Sequence, residues 1–196
     1  MKTLYFIRHG ISEHNVLYHD FGKKVFYDKR YYDTKLTPEG TQQSIQLSNT
    51  WKDIHKVELV LCSSLSRTLE TARNIFINMS VPIFALDILK EYPQGLQTCN
   101  KRSEKKILID EYQEIDFTNV NDVDTMWNHE REETIDELNQ RIQMLNDFIQ
   151  TRKETEIAII GHNSFIGQYK DKKIGLMEHG NEELLHCYPY KIEYKL

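Results

Sequence analysis

Two histidines each follow a short apolar run, and this placement is the strongest indication of chemistry in the chain. Arg8 and His9 come directly after residues 3–7, and His162 follows residues 157–160 across one glycine. Runs this short and apolar are typical of buried parallel strands. Because ligands bind beyond the carboxyl ends of such strands, we expect both histidines and Arg8 to share one cleft. Two imidazoles beside a guanidinium suit a phosphate group.

His9 has the residue type and neighbours of a nucleophile for phosphorus. An imidazole can attack phosphorus when one ring nitrogen is unprotonated and the other is held by a hydrogen-bond acceptor. Arg8 offers a planar fork of donors to phosphate oxygens, and Gly10 lets the backbone approach a ligand closely. Taken alone, the tripeptide also fits an ordinary surface histidine beside a turn.

A second anion-binding element follows Cys62, where serines precede Arg67 in the first turn of a predicted helix. Free backbone N–H groups and the helix dipole make a helix N-terminus a site for anions. The dipole disfavours an arginine there, so Arg67 requires a ligand or a carboxylate partner. The alternative is that a serine only caps the helix and Arg67 is solvated.

The third element is the turn that contains His162 and Asn163. A protonated His162 would add positive charge and a hydrogen bond to the same phosphate, and the backbone N–H of Asn163 would add a further donor. The alternative is a histidine satisfied within a strand-to-helix turn.

Strands and helices alternate along the chain. The strands are predicted at 3–7, 57–62, 83–86 and 156–160, with a half-exposed edge strand or hairpin arm at 190–195. The helices are predicted at 37–51, with Thr37 as cap and Pro38 in the first turn, at 66–78, and at 132–153. This order predicts one α/β domain over residues 1–196, a three-layer α/β/α fold with a mostly parallel central sheet. Residues 16–35 and 91–128 lack periodicity and should form the rim of the cleft.

Composition narrows the class of protein. The chain has 196 residues, 28% of them charged, and a net charge of -5. That charge argues against nucleic-acid partners, and no apolar run approaches the roughly 18 residues of a membrane span. There is no signal-peptide pattern at the start, and Cys62, Cys99 and Cys187 are few and widely spaced, as in reduced thiols. We therefore expect a cytoplasmic protein that acts on a small molecule; the sequence makes no prediction of oligomeric state.

The histidine spacing does not predict a metal site or any other cofactor. His9, His14 and His19 are five residues apart, which does not place them on one face of a helix. His129 lacks the second histidine of a zinc-protease helix, and no Gly-rich nucleotide loop occurs.

Five motifs, taken together, resemble the histidine phosphatase superfamily, in its phosphoglycerate mutase-like branch 1. In chain order they are Arg8-His9-Gly10-x-Ser12-x-x-Asn15, Asp33-x-x-Leu36-Thr37-x-x-Gly40-x-x-Gln43, Ser63-x-Leu65-x-Arg67-Thr68-x-x-Thr71-Ala72, Leu89-x-Glu91 and Gly161-His162. Each motif is weak alone, but five in the family's order, from residue 3 to about 165, are specific.

The resemblance implies a metal-independent phosphatase for phosphomonoesters. By that resemblance His9 becomes phosphohistidine, Arg8, Arg67 and His162 form the phosphate pocket, and Asn15 adds a contact. Glu91 would then be the general acid for the leaving oxygen and the base for water. Other carboxylates compete for that last role, namely Glu70, Asp87 and Glu104.

Magnitudes rank these roles. Monoester hydrolysis requires enhancements of up to about 10²¹-fold, or roughly 28 kcal/mol, whereas a general acid supplies about 10² to 10⁴. The covalent step and the fixed positive charge must supply most of the rest. Removing His9 or Arg67 should therefore lower the turnover rate more than removing Glu91.

Two further functions share these residues. A mutase-type phosphotransferase carries the same catalytic set, but family mutases usually have a longer middle insertion. The third hypothesis is an inactive phosphate-binding or scaffold protein, although such a protein would not need the complete set of catalytic residues. The chain departs from the family pattern at Ile11 and at Asn163, which can narrow the pocket.

Two features bear on the substrate. Basic residues at the expected rim would favour a second negative group on the substrate, or are simply solvated; they are Lys101 and Arg102 with Lys105 and Lys106, and Lys23, Lys24, Lys29 and Arg30. Tyrosines could instead line a pocket for a ring; they are Tyr27, Tyr31, Tyr32 and Tyr92.

Overall fold

A five-stranded sheet forms the centre of the protein in the computed structural model, which describes residues 1–174 and 184–194. The strands are β1 (Lys2–Arg8), β2 (Leu59–Ser63), β3 (Ile83–Leu86), β4 (Glu156–Gly161) and β5 (Pro189–Tyr194). Their order is β3-β2-β4-β1-β5, with only β5 antiparallel to its neighbour. The mostly parallel sheet and the edge strand are confirmed; Lys195 of the predicted edge lies outside the described residues.

Helices cover both faces of the sheet, so the three-layer prediction is confirmed. They are α1 (Glu13–Phe21), α2 (Pro38–Thr50), α3 (Ser66–Phe76), α4 (Lys105–Glu111), α5 (Ile135–Thr151) and α6 (Asn163–Asp171). One face packs on α2, α3 and α4 through residues such as Leu47, Leu69 and Leu108. The other packs on α5 and α6 through residues such as Leu145 and Phe165. None of the helices in the described residues combines the length and apolar character needed to cross a membrane.

Local capping sets where the predicted helices begin. Thr37 accepts the backbone N–H of Gly40 at 3.0 Å, and Pro38 occupies the first turn of α2. Thr134 and Glu137 form a reciprocal capping box at α5. Because Thr134 is the cap, α5 starts three residues later than the apolar pattern indicated.

The turn after β1 packs directly on the start of α2. A Cβ on Gly10 would collide with the carbonyl oxygen of Gly40, and a Cβ on Gly40 would collide with the carbonyl oxygen of Ile11. The same Ile11 carbonyl accepts the backbone N–H of Thr37 at 2.9 Å. The small size of Gly10 therefore serves the contact between two backbones that holds the His9 turn. Its close approach to a ligand stays a prediction.

Gly40→Ala should destabilise the fold, although alanine normally favours a helix. The added methyl group meets the Ile11 backbone, which is fixed by its hydrogen bonds and cannot yield cheaply. We expect a loss of about 1–3 kcal/mol in the free energy of unfolding, measured by urea denaturation. Gln42→Ala, at an exposed position of α2, is the control. A stabilised Gly40→Ala variant would show that this contact is not tight.

Candidate active site

Pairing of β1 with β4 brings the two sequence-distant histidines together. Arg8 pairs with Gly161 at the end of both strands, and the backbone N–H of His9 donates to the Gly161 carbonyl at 3.0 Å. The ring centroids of His9 and His162 are 5.1 Å apart. Both histidines therefore lie at the carboxyl edge of the sheet, but of the two His9 lines the cleft and His162 does not.

The backbone fixes the tautomer of His9. Its Nδ1 lies 2.7 Å from the carbonyl oxygen of Gly10. A carbonyl can only accept, so Nδ1 carries the hydrogen and Nε2 carries the lone pair. Burial, together with the charges of Arg67 and His162, lowers the pKa of His9 well below its usual value. The imidazole is therefore neutral near pH 7, with Nε2 available as a nucleophile.

Arg67 is fully buried in the first turn of α3 and lines the cleft. Its Nη1 donates to the Cys99 carbonyl at 2.9 Å and its Nη2 to Asn100 Oδ1 at 3.0 Å, while Nε has no partner among the described residues. The partners of Arg67 are thus a backbone carbonyl and a side-chain amide, not the carboxylate that the sequence suggested. The nearby carboxylate, Asp33, binds the backbone N–H of Ser66 instead. The guanidinium is thus held by two of its five N–H groups, and the other three make no hydrogen bond to the described residues.

Arg8, Asn15 and Asn163 also line the cleft. Arg8 Nη1 donates to the Leu184 carbonyl at 2.8 Å, and Asn163 Oδ1 accepts the Leu184 N–H at 2.9 Å. Asn15 Oδ1 accepts both the backbone N–H and the hydroxyl of Ser12. The oxygen of Asn15 is thereby occupied, and its NH₂ group is the part suited to an anion.

His162 lies beneath the site. It is fully buried, does not line the cleft, and places Nε2 2.9 Å from the hydroxyl of Ser63. Burial first, and then the charge of Arg67, lowers the pKa of His162 well below its usual value. In the protein without a bound ligand, His162 is therefore neutral, and the expectation that it is protonated is not met. Arg8 and Arg67 carry the positive charge of the site.

Glu91 sits at the N-terminus of α6. Its carboxylate accepts the backbone N–H groups of Tyr92 at 2.7 Å, Ser164 at 3.2 Å and Phe165 at 3.2 Å. Burial raises the pKa of Glu91 and outweighs the opposing hydrogen bonds and Arg67. A carboxyl group with a raised pKa keeps its proton to a higher pH than an ordinary glutamic acid, which suits a general acid.

The other three carboxylates considered for the general acid lie outside the cleft. Glu70 accepts the backbone N–H of Leu36 at 2.7 Å, Asp87 pairs with Arg102, and Glu104 is exposed at the start of α4. None of the three lines the cleft, whereas Glu91 does. The structure therefore places Glu91, among these four, beside the arginines.

The cleft has a volume of about 300 Å³. His9 and the two arginines form a buried part of its lining. A second set of lining residues is half-buried or exposed, and we call it the outer wall: Lys23, Phe26, Tyr27, Tyr92, Pro93, Gln97 and Glu132. No group of three or more His, Cys, Asp or Glu side chains suited to a metal occurs in residues 1–174 or 184–194.

Lys101 and Arg102 do not border this cleft, so their prediction as a substrate rim is wrong. Arg102 is 2% exposed and binds Asp87 Oδ1 at 2.8 Å, because a buried carboxylate holds it in the interior. Lys101 lies 4.5 Å from the Trp127 ring and lines a separate groove. Of the other residues proposed for the rim or the ring pocket, those that line the cleft are Lys23, Tyr27 and Tyr92.

Sequence reasoning missed several residues of the site. His14 lines the cleft and places Nδ1 2.5 Å from the Thr34 hydroxyl. Its position beside Asn15, at the start of a helix, was the available signal. Cys99 and Asn100 hold Arg67 from a stretch without periodicity, and no sequence pattern pointed to them.

Fold and site together describe an α/β protein with a neutral histidine and two arginines in one cleft at the carboxyl edge of its sheet. The family model described as the histidine phosphatase superfamily (branch 1) matches residues 4–179, and the chain belongs to this superfamily. The superfamily comprises phosphatases and mutases.

Similar proteins agree with that assignment. A phosphoglycerate mutase-like protein of Arabidopsis thaliana is 30% identical over 204 residues, covering 84% of this chain and 72% of the relative. The α-ribazole phosphatase from Shigella flexneri superposes with a TM-score of 0.65 at 21% identity, covering 98% of this chain and 91% of that one. A phosphoserine phosphatase from Entamoeba histolytica, in complex with 3-phosphoglyceric acid, gives 0.58 at 20% identity, covering 98% and 96%. At these identities the two structures show the shared fold.

Proposed function

We propose that this protein is a phosphatase that hydrolyses phosphomonoesters through a phosphohistidine on His9, without a metal. Arg8 and Arg67 bind the phosphate, with Asn15 and Asn163 as further contacts. His162 contributes from beneath the cleft through its Nδ1, which has no hydrogen-bond partner among the described residues, and Glu91 is the general acid and base. The observation that carries the proposal is the His9 tautomer, with Nδ1 held by the Gly10 carbonyl and Nε2 free beside Arg67. The names of the two structural neighbours, both phosphatases, support the same reaction class.

The proposed reaction has two transfers. His9 Nε2 attacks phosphorus, the N–P bond forms as the ester P–O bond breaks, and Glu91 gives its proton to the leaving oxygen. Water then attacks phosphorus, Glu91 takes the proton from that water, and inorganic phosphate leaves a neutral His9. A monoester brings a charge of about -2, which Arg8 and Arg67 balance. Fixed positive charge in a buried site is the main stabilisation on offer.

Release of inorganic phosphate tests this reaction. The purified protein should hydrolyse simple phosphomonoesters at an unchanged rate when EDTA is present. Activity that EDTA abolishes, and that a divalent metal restores, would contradict the metal-independent route.

Mutase-type transfer is the second candidate, because the relative at 30% identity carries a mutase-like name. Interconversion of 3-phosphoglycerate and 2-phosphoglycerate, without net phosphate release, would establish it. An inactive binding protein would bind phosphate in the cleft and show neither reaction.

The loss of activity in Glu91→Gln should depend on the leaving group of the substrate. With an alkyl phosphate we expect kcat/KM to fall by about 10² to 10⁴-fold, because the poor leaving oxygen needs a proton. With p-nitrophenyl phosphate the fall should be much smaller, since p-nitrophenolate leaves unprotonated. Glutamine keeps the shape of the side chain and one of the two oxygens that accept the N–H groups of Ser164 and Phe165, so some loss of stability should accompany the kinetic effect.

The pH profile gives the control for Glu91. Its pKa is raised, so the acid form persists above the usual range for Glu and is lost as pH rises further. Alkyl phosphate hydrolysis should show this alkaline decline in wild-type protein, and Glu91→Gln should remove it. Equal losses on both leaving groups would contradict the general-acid role.

The proposed setting is cytoplasmic, with a small phosphorylated molecule as partner. All three cysteines are free thiols, and two of them, Cys62 and Cys99, are buried. Free thiols are typical of reducing compartments.

A further inference from the structure

The outer wall of the cleft holds one carboxylate in a fixed position. Glu132 Oε1 accepts the Tyr27 hydroxyl at 2.7 Å and the Gln97 side-chain N–H at 3.3 Å. Its Oε2 makes no hydrogen bond to any residue in the part of the chain that the structure describes, and Glu132 lines the cleft. Two donors on one oxygen leave the other oxygen of this cleft-lining carboxylate available as an acceptor.

Aromatic rings share that wall. Phe26, Tyr27 and Tyr92 line the same cleft as Glu132. Burial and the nearby carboxylate Glu132 raise the pKa of Tyr27, as expected for a tyrosine packed against a negative charge. A cation is attracted both by a carboxylate and by the faces of aromatic rings, and proteins use this combination to bind ammonium groups.

The charged residues divide the cleft into an end suited to phosphate and the outer wall. Arg8 and Arg67 lie together beside His9, while the outer wall carries Glu132 and one cation, Lys23, among the described residues. Lys23 itself interacts with protein neighbours. Lys101 and Arg102, which would have favoured a second anion, face away from this cleft. A leaving group with a second phosphate would therefore meet the negative charge of Glu132.

We propose that the leaving group of the substrate carries an ammonium group, which binds Glu132 Oε2 and the aromatic rings beside it while the phosphate binds Arg8 and Arg67. This proposal rests on the phosphatase function proposed above. It assigns Glu132 as a specificity residue and the substrate class as aminoalkyl phosphomonoesters.

A matched pair of esters tests the proposal. 3-Aminopropyl phosphate and propyl phosphate have the same chain and ester bond and differ in the terminal ammonium. A hydrogen bond between charged groups in a partly buried site should favour the amine by about tenfold or more in kcat/KM. In Glu132→Gln we expect the ratio of the two kcat/KM values to approach one. Glu130→Gln removes the same charge at an exposed position outside the cleft and should keep the wild-type ratio.

The outcomes are distinguishable. If neither ester nor p-nitrophenyl phosphate is hydrolysed, the proposed phosphatase function fails. If all are hydrolysed but the wild-type protein shows no preference for the amine, the ammonium site fails while the phosphatase stands. A preference that survives in Glu132→Gln would also overturn the assignment. Should Glu132→Gln not fold, the wild-type ratio and its decrease at high salt, where charge attraction is screened, still decide the question.

Discussion

His9→Ala is expected to lower kcat/KM for every phosphomonoester by at least about 10⁴-fold. The variant removes Nε2, the protein atom that bonds to phosphorus in the proposed reaction, whose lone pair is set by the Nδ1 hydrogen bond to Gly10. Arg8 and Arg67 would remain and still bind phosphate. The measurement is steady-state phosphate release, with binding of inorganic phosphate as a check that the cleft is intact.

The matched control is His55→Ala, which removes an exposed histidine far along the chain. It should leave kcat/KM unchanged. In the wild-type protein kcat/KM should also stay level as pH falls through 6.5, because the pKa of His9 is lowered well below that value and the neutral form persists. A His9→Ala variant with more than a few per cent of wild-type activity would rule out the covalent route.

Arg67→Ala is expected to lower kcat/KM by about 10³-fold. Loss of one preorganised donor to a developing charge costs about 10² to 10³-fold in known sites, and here a buried full charge is lost with it. The loss should appear in kcat as well as in KM, since the guanidinium meets the phosphate in both the ground state and the transition state. Stability will fall too, because Cys99 and Asn100 lose their donor.

Arg67→Lys separates charge from geometry. Lysine keeps the charge but not the planar fork, so we expect an intermediate loss of about 10²-fold. Arg73→Ala, in the last turn of the same helix, is the control for helix damage and should retain activity. With p-nitrophenyl phosphate as substrate, losses of similar size in the His9, Arg67 and Glu91 variants would contradict the ranking of covalent and electrostatic effects above acid catalysis.

The sheet was predictable because its strands are short apolar runs. Each predicted strand agrees with the structure to within two residues, and the positions of His9 and His162 follow from the pairing of β1 with β4. The helices α2 and α5 carry clear caps. The helices α1, α4 and α6 were not predicted, because they are short and their sequences lack a clear apolar face.

The partners of the functional side chains could not be predicted from the sequence. Arg102 is drawn into the interior by Asp87, and Arg67 is held by Cys99 and Asn100, which are 32 and 33 residues away in the chain. The charge state of His162 likewise depends on burial and on Arg67, which only the packed structure defines. Glu132 joins the cleft through contacts with Tyr27 and Gln97, the former 105 residues away. Contacts at such separations leave no local pattern.

A rapid-quench experiment can detect the phosphohistidine on His9. Wild-type protein is mixed with excess p-nitrophenyl phosphate, quenched under alkaline conditions and analysed by peptide mass spectrometry. We expect one added phosphoryl group on the peptide that contains His9, formed at the rate of the p-nitrophenol burst and absent in His9→Ala. Full turnover with no phosphorylated His9 peptide at any quench time, or with the phosphoryl group on another residue, would contradict it.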